Sequence, residues 1–312
     1  MLVVVAVILA VAAFAQGAVL GAHHHPPRPS VTVDAIGYFG LPHPYYIALG
    51  HSGFVPGFVV RVHVFNHGSR PVDVRHVDLS LESMDVPKVT ARLRVVRPGI
   101  VHAHSARWVS AHVAGGDIQH LSLGRWRVAT TTWADQITFA KGPEIVVIAR
   151  EWDVDNFTTE TTPYGAAPDY RTSAADGFYF RLSRYDAASR HFVYAPTGGV
   201  SSGVSGSASS CTWTGSIEVP SRSWANSSLW IALNLRQYDA KVIMAGTPTF
   251  SVTETCNGVS FPWSNANPAD LVTYAGIRAL PTMTPTMTTL TGSDGDANLH
   301  TTWAWTFSAN VP

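Results

Sequence analysis

The strongest constraint on the fold is a strict alternation of apolar and polar residues in short runs. The run FVVRVHVF places Val60, Val62 and Val64 on one side and Arg61 and His63 on the other. A period of two puts alternate side chains on opposite faces of a β-strand. Comparable runs recur along the chain, separated by turns rich in Gly, Pro and Asn. No helical period of useful length interrupts them, so the sequence predicts an all-β fold of stacked antiparallel sheets.

The length and the spacing of these runs predict two domains. The chain has 312 residues, and a domain typically takes about 150. A Thr- and Pro-rich polar stretch without periodicity reads as the linker, and the Gly/Ser-rich residues 198–210 read as a mobile loop. We expect antiparallel β-sandwiches of the immunoglobulin-like or jelly-roll-like kind. The expected units are an N-terminal apolar segment (1–22), a His/Pro-rich tether (23–30), a first sandwich (31–152), the linker (153–175) and a second sandwich (176–312).

The N-terminal segment indicates export. Its apolar core from Leu2 to Phe14 has the length of a signal-peptide core, and Ala13-Phe14-Ala15 matches a cleavage site. We therefore expect a secreted protein or one on a cell or virion surface. No Lys or Arg precedes the core. The alternative is an uncleaved apolar helix that spans a membrane or packs within an assembly, and membrane contact is expected only through this segment.

Two further features fit an exported protein. Cys211 and Cys256 flank strand-like runs, and in an oxidising compartment we expect them to form a disulfide. The alternative is two buried free thiols. Asn156 and Asn226 each begin an N-x-S/T triplet, which predicts a glycoprotein if the host glycosylates asparagine.

The charge balance argues against one class of function, the binding of nucleic acid. Charged residues make up 13% of the chain, and 21 Lys and Arg balance 21 Asp and Glu. This composition argues against nucleic acid as a partner, because nucleic-acid-binding domains carry a basic patch or stripe. No catalytic motif stands out, so we expect no enzymatic activity and no required cofactor.

An aromatic row near the C-terminus suggests a ligand. Trp303, Trp305 and Phe307 alternate, so they share one face of a strand. An exposed row of rings would bind a glycan by stacking on the apolar faces of its sugars. The alternative, which the small polar residues on the opposite face favour, is that these rings belong to the core.

Histidines supply candidate metal ligands. His102 and His104 are two residues apart, which would put both imidazoles on one face of a strand. His23 would be the first residue of the chain if cleavage followed Ala22. Imidazoles suit copper and zinc, so these residues are candidate ligands. The alternative is a set of solvated histidines.

A second candidate metal site lies near the C-terminus. Asp294, Asp296 and Asn298 have the D-x-D-x-N spacing of calcium loops, in which alternate oxygens converge on the ion. The later bidentate Glu of such loops is missing. The alternative is a plain turn, because Asp-Gly pairs are also common in hairpins.

The first domain resembles a known family. The V-x-V-x-V-F-N-x-G run of residues 60–68, the Pro98-Gly99 turn and a late G-x-W-x-V motif at residues 124–128 carry the likeness. On these residues, positions 58–130 resemble the CARDB-like family of immunoglobulin-type adhesion sandwiches. The resemblance implies a binding or spacing module.

Three functions follow as predictions. The first is a secreted or surface-exposed, non-enzymatic protein that adheres to or binds a glycan or a protein surface. The second is a structural subunit of an external filament, coat or virion layer, which would make the chain a homo-oligomer. The third is a copper- or zinc-binding protein, or an oxygenase, that uses the His-rich first domain.

Overall fold

The structure is a computed structural model. It describes residues 29–50, 55–161, 169–175, 179–198, 200–208, 210–219, 227–242, 249–262, 273–274, 278–279, 288–296 and 301–311. The predicted all-β class is confirmed, because strands make up nearly all the regular secondary structure of the described residues, with one helix of four residues. The N-terminal segment 1–22 lies outside the described residues. In the part of the chain that the structure describes, no helix is long and apolar enough to cross a membrane.

The strands fall into two consecutive series. The first series is β1 (Val31–Phe39), β2 (Tyr46–Leu49), β3 (Phe58–Asn66), β4 (Val72–Val74), β5 (His76–Ser83), β6 (Thr90–Val96), β7 (Gly99–Val101), β8 (Ser105–Val113), the short helix α1 (Gly115–Ile118), β9 (Gly124–Trp133) and β10 (Ile137–Ala149). The second series is β11 (Glu151–Thr161), β12 (Asp169–Ala175), β13 (Tyr179–Asp186), β14 (His191–Thr197), β15 (Val200–Ala208), β16 (Cys211–Val219), β17 (Ser228–Ala232), β18 (Gln237–Val242), β19 (Thr249–Cys256), β20 (Val259–Pro262), β21 (Thr273–Tyr274), β22 (Arg278–Ala279), β23 (Thr289–Asp296) and β24 (Thr301–Ala309).

The first series forms a sandwich of two main sheets. Sheet A has the order β1-β3-β8, and sheet B has the order β2-β10-β9-β5-β6; β4 and β7 form a separate pair, sheet C. The predicted alternation of β3 is confirmed, because Val60, Val62 and Val64 are buried. Their counterparts on sheet B are the buried side chains of β5, and both sets point into one core.

Tyr38 fixes the two sheets to each other. Its hydroxyl donates to the carbonyl of Pro143 at 2.8 Å and accepts the amide N–H of Val128 at 3.3 Å. Burial raises the pKa of Tyr38 to about 12, since the phenolate would lose its hydration. One buried phenol on sheet A thus holds both β9 and β10 of sheet B.

The second series forms one branched sheet of fourteen strands, sheet D. Strand β11 is the branch point: its residues 151–153 pair with β13, its residues 157–161 pair with β12, and β24 runs along its other edge. We call β13, β14, β17 and β18 the packed branch, because their inward side chains are buried. We call β12, β15, β16, β19 and β20 the open branch, in which nearly all described side chains are at least partly exposed.

A single residue, Arg150, separates the two series. Across this junction, Tyr194 of the packed branch donates a buried hydrogen bond to the carbonyl of Ala149 at 2.8 Å. The rings of Tyr46 and Phe192 meet edge to face at 5.1 Å between centroids. The buried apolar side chains of both series therefore form one continuous core.

Two sequence predictions about connections were wrong. Most of the predicted linker at 153–175 is strand, because β11 and β12 occupy residues 151–161 and 169–175. The Gly/Ser-rich stretch predicted as a loop contains β15 at Val200–Ala208. Both stretches lack hydrophobic alternation, and both are held by ladders to neighbouring strands. Strand pairing outweighs intrinsic preference at these positions.

The predicted antiparallel arrangement has one exception among the described strands. Strand β2 pairs with the end of β10 in parallel, with Tyr46 opposite Val146 and Leu49 opposite Ala149. This end of β10 is a continuous buried run from Ile145 to Ala149. Such a run is typical of a strand covered on both faces; here the packed branch lies against the same end.

Candidate binding faces

The outer face of sheet A carries exposed aromatic rings. On β3 the residues that alternate with the buried valines point outward, and the ladder sets Arg61 opposite Gly37 and Ser110 and His63 opposite Trp108. Phe39 is 53% exposed and Trp108 is 49% exposed. Face A is defined here as Asp34, Phe39, Arg61, His63 and Trp108.

Arg61 lies between the two rings of face A. Its guanidinium carbon is 5.2 Å from the ring centre of Phe39 and 4.9 Å from that of Trp108. Both distances are within the range of a cation–π contact. The guanidinium makes no hydrogen bond or ion pair with the residues that the structure describes. Its N–H donors therefore remain available to a ligand.

His63 links the aromatic strip to a carboxylate. Its imidazole lies 4.5 Å from the ring centre of Trp108, and its Nδ1 is 2.6 Å from Oδ1 of Asp34. Asp34 sits at a bulge in the β1–β3 ladder, between Val33 and Ala35. A bulge re-aims a side chain, and here the carboxylate reaches the imidazole. Face A thus combines flat apolar surface with unpaired donors and an exposed carboxylate.

The outer face of sheet B has a related arrangement. His76 lies directly opposite Trp133 on β5 and β9, and their rings stack at 5.5 Å between centroids. The indole N–H of Trp133 donates to Oδ2 of Asp78 at 2.9 Å. Trp133 is 37% exposed, and Ile137 and Phe139 follow on β10 at 49% and 75%. Face B is defined here as His76, Asp78, Trp133, Ile137 and Phe139.

The two carboxylates on this side of sheet B, Asp78 and Glu82, each have a partner nearby. Nε2 of His76 is 3.7 Å from Oδ2 of Asp78. Farther along the same face, Glu82 is within 3.6 Å of Nε of Arg127 and within 3.1 Å of Nζ of Lys141. These are exposed or half-exposed pairs that contribute little to stability. Their main effect is to leave the face without a strong local field of one sign.

Two of the three rings predicted to form a glycan-binding row on β24 are buried. Trp305 is 2% exposed and Phe307 is fully buried. The indole N–H of Trp305 donates to the hydroxyl of Tyr238 at 3.2 Å, and Gly292 opposite it leaves room for the ring. The core alternative therefore holds for these two residues. The side chain of Trp303 lies outside the described residues.

The strand predicted for the two neighbouring histidines was wrong. His102 and His104 lie in the turn between β7 and β8, and His104 has a φ of 50°. The turn is closed by Ser105, whose amide N–H and hydroxyl both donate to the carbonyl of His102. The two imidazoles are exposed and do not share a strand face. His23 lies outside the described residues.

The predicted calcium loop is a strand where it is described. Asp294 and Asp296 belong to β23 and pair with Trp303 and Thr301 of β24. An extended strand does not wrap its side chains around one ion as a loop does. Asn298 lies outside the described residues.

The predicted disulfide is confirmed. Cys211 and Cys256 are directly opposed on β16 and β19 and are bonded to each other. Among the described residues, the only group of three side chains close enough to share a metal ion is this pair with Glu254. Two of its three ligand atoms are the oxidised sulfurs, so the group does not suit a metal. A metal cofactor for this chain stays untested.

The two predicted glycosylation sites have different positions. Asn156 lies in β11, opposite Thr306 of β24, and Asn226 lies outside the described residues.

The sequence did not predict Phe39, Trp108 and Trp133 as surface rings. Alternation assigns a residue to one of two faces, but only the sheet partners decide which face meets water. The signal was present for Trp108, since it stands on a polar strand next to Arg107.

These features define an all-β protein of two connected sheet systems with aromatic faces on the outside of the first. No protein-family model matches the sequence, and no curated protein matches it. Solved structures similar to this chain include a crystal structure of red sea bream transglutaminase, at 13% sequence identity and a TM-score of 0.25. The match covers 72% of this chain and 31% of that one. A TM-score this low establishes neither a shared fold nor a shared activity, and the CARDB-like resemblance stays a prediction.

Proposed function

We propose that this chain is a secreted or surface-exposed, non-enzymatic protein that binds glycans through face A. The observation that carries the proposal is the strip formed by Phe39, Arg61 and Trp108, whose two rings are about half exposed. Monomeric proteins seldom leave large rings clustered on a surface without a use for them.

The chemistry of face A fits a sugar. A pyranose ring has an apolar face of C–H groups, which stacks on an indole or phenyl ring and removes apolar surface from water. Its hydroxyls need donors and acceptors at the rim of the same surface. Arg61 supplies N–H donors, and Asp34 supplies a carboxylate acceptor held at 2.6 Å from His63. One strip therefore offers both contacts that a sugar requires.

Two features favour a location outside the cell. The bond between Cys211 and Cys256 is of a kind that persists in oxidising compartments. The apolar N-terminal segment has the length and the A-x-A motif of an export signal. The alternative function, a structural subunit of an external assembly, stays a prediction.

The test is binding to soluble uncharged polysaccharides. The purified chain is run by affinity electrophoresis in gels containing mannan, xylan or mixed-linkage glucan. We expect retardation by at least one of them. Trp108→Ala should weaken that binding about tenfold or more, because loss of a stacking ring costs about 1.5 kcal/mol. Trp108→Tyr, which keeps an aromatic ring, should retain most of it.

Phe261→Ala is the matched control. Phe261 is an exposed ring on the open branch, away from face A, and its removal should leave retardation unchanged. If no polysaccharide retards the chain, or if Trp108→Ala and Phe261→Ala weaken binding equally, face A is not a glycan site.

A further inference from the structure

One arrangement of side chains occurs twice in the sandwich. On face A, Trp108 lies against His63, which contacts Asp34; on face B, Trp133 stacks on His76 and donates to Asp78. In both cases the His and the Trp are directly opposed on neighbouring antiparallel strands. The indole ring is partly exposed on both faces.

The two faces point in opposite directions. The buried residues of β3 and of β5 line one core between sheets A and B, so the side chains that alternate with them face outward on opposite sides. Packed sheets lie about 10 Å apart. One small ligand cannot therefore contact both faces at once.

The two His–Trp pairs lie toward the same end of the sandwich. Ser30 accepts the amide N–H of His67, just beyond β3, and its hydroxyl donates to Asp135 in the β9–β10 turn. His63 is near the end of β3, and Trp133 is the last residue of β9. The two indoles are thus held by the rigid sandwich on either side of one end.

The charges of face B match an uncharged ligand. The carboxylates of Asp78 and Glu82 are balanced in number by the cations of Arg127 and Lys141, both of which lie close to Glu82. Because the charges compensate one another, an ionic partner would have to break these pairs. A neutral polyhydroxyl chain would instead stack on Trp133 and hydrogen-bond to the Asp78 carboxylate.

From this repeated arrangement we infer that face B is a second glycan site, so that one chain bridges two polysaccharide strands on opposite sides of the sandwich. The inference rests on the proposed function of face A and extends it from binding to cross-linking. Two rigidly opposed sites cannot close on the same short ligand, and binding at both therefore joins separate strands. This is the property that an adhesive protein needs.

The experiment uses the full chain with the polysaccharide that retards it in affinity electrophoresis. Binding stoichiometry is measured by titration calorimetry with a short oligosaccharide of that polymer, and cross-linking by agglutination of beads coated with the polymer. We expect two oligosaccharide sites per chain and agglutination. Trp133→Ala and Trp108→Ala should each leave one site and abolish agglutination, and the double variant should bind nothing.

Trp133→Tyr should retain both sites, and Phe261→Ala should agglutinate like the unmodified chain. Circular dichroism and urea midpoints check that each variant is folded, which we expect because both indoles are surface residues. If Trp108→Ala abolishes all binding while Trp133→Ala keeps agglutination, face A stands and the second site is overturned. If neither variant changes binding, both proposals fail.

Two other occupants of face B would also overturn the inference. If Trp133→Ala abolishes agglutination and sedimentation shows that it converts a dimer into a monomer, face B joins two copies of the chain. If a chain that begins at Pro29 gains a second oligosaccharide site that the full chain lacks, the N-terminal segment covers face B.

Discussion

The packed and open branches of sheet D start from the same strand and are stabilised in different ways. The packed branch buries Phe180, Phe192 and Tyr194 against β24 and the first sandwich. In the open branch, Val252 is the only buried side chain among those described in β15, β16, β19 and β20. Its strands expose Ser and Thr side chains instead, and a disulfide joins two of them.

This difference shows that strand pairing alone does not determine stability. Both branches have antiparallel ladders, but backbone hydrogen bonds contribute little net free energy because water competes for the same groups. The packed branch gains from apolar burial at about 25 cal/mol per Å². The open branch depends on a covalent link that limits its unfolded states. The two branches should therefore respond to different changes.

The largest expected effect comes from truncating Trp305 of β24, a buried ring that contacts Tyr238 of the packed branch. Trp305→Ala should lower the free energy of unfolding by about 3–5 kcal/mol, as large-to-small changes of buried aromatics do. The change leaves a cavity beside Gly292 and removes the hydrogen bond to Tyr238. Urea unfolding followed by circular dichroism measures it.

Trp305→Phe is the matched control, because it keeps a buried ring while losing the indole N–H. It should cost clearly less than the alanine variant. A cost below about 1 kcal/mol for Trp305→Ala would mean that this ring is not part of a tight core, and the contrast between the branches would lose its basis.

Removing the disulfide should produce the next largest effect, confined to the open branch. For a separation of 45 residues, the double variant Cys211→Ser, Cys256→Ser should cost about 2–4 kcal/mol. The loss should appear as local opening. Hydrogen exchange read by mass spectrometry should speed up in β15, β16, β19 and β20 and stay unchanged in β13, β14 and β17.

Reduction of the unmodified chain by dithiothreitol provides an independent check and should reproduce the exchange pattern of the double variant. Equal acceleration in both branches would show that they unfold as one unit. In that case the open branch draws its stability from the same core as the packed branch.

The smallest expected effect concerns the contact between the packed branch and the first sandwich. Tyr194→Phe removes the hydroxyl that donates to the Ala149 carbonyl, which should cost about 1–2 kcal/mol. Burial raises the pKa of Tyr194, whereas an unfolded tyrosine ionises near 10. The folded form therefore keeps its proton when the unfolded form loses it.

Stability should consequently fall as the pH rises above about 10, because the unfolded state then binds fewer protons than the folded state. Burial also raises the pKa of Tyr38, to about 12, so that residue contributes in the same direction. Urea midpoints measured between pH 8 and 11 should decline less steeply for Tyr194→Phe than for the unmodified chain. Parallel slopes would contradict the role of this hydroxyl.

The contrast between the branches also explains what the sequence could predict. Alternation identified β3 nearly to the residue, because its side chains alternate between buried and partly exposed along the whole strand. The disulfide was predictable, because both cysteines flank strand-like runs in a chain whose N-terminus resembles an export signal.

The features that the sequence did not predict depend on contacts between residues that are far apart in the chain. Strands β12 and β15 carry little apolar pattern of their own and exist through their ladders. His104 interrupts an alternating stretch at a single residue of positive φ, which no composition reveals. Trp108 and Trp305 both lie on alternating strands, but one is exposed and the other buried, because only the second has another layer packed on its side.

The single-residue junction at Arg150 has a mechanical consequence. The amide of Arg150 donates to the carbonyl of Leu49, and its own carbonyl accepts the amide of Leu182, so the residue is fastened to strands of both halves. Tension between the two series would pass from β10 directly into β11, because only Arg150 lies between them. Because β11 pairs along both edges, the load would be shared in shear among β12, β13 and β24.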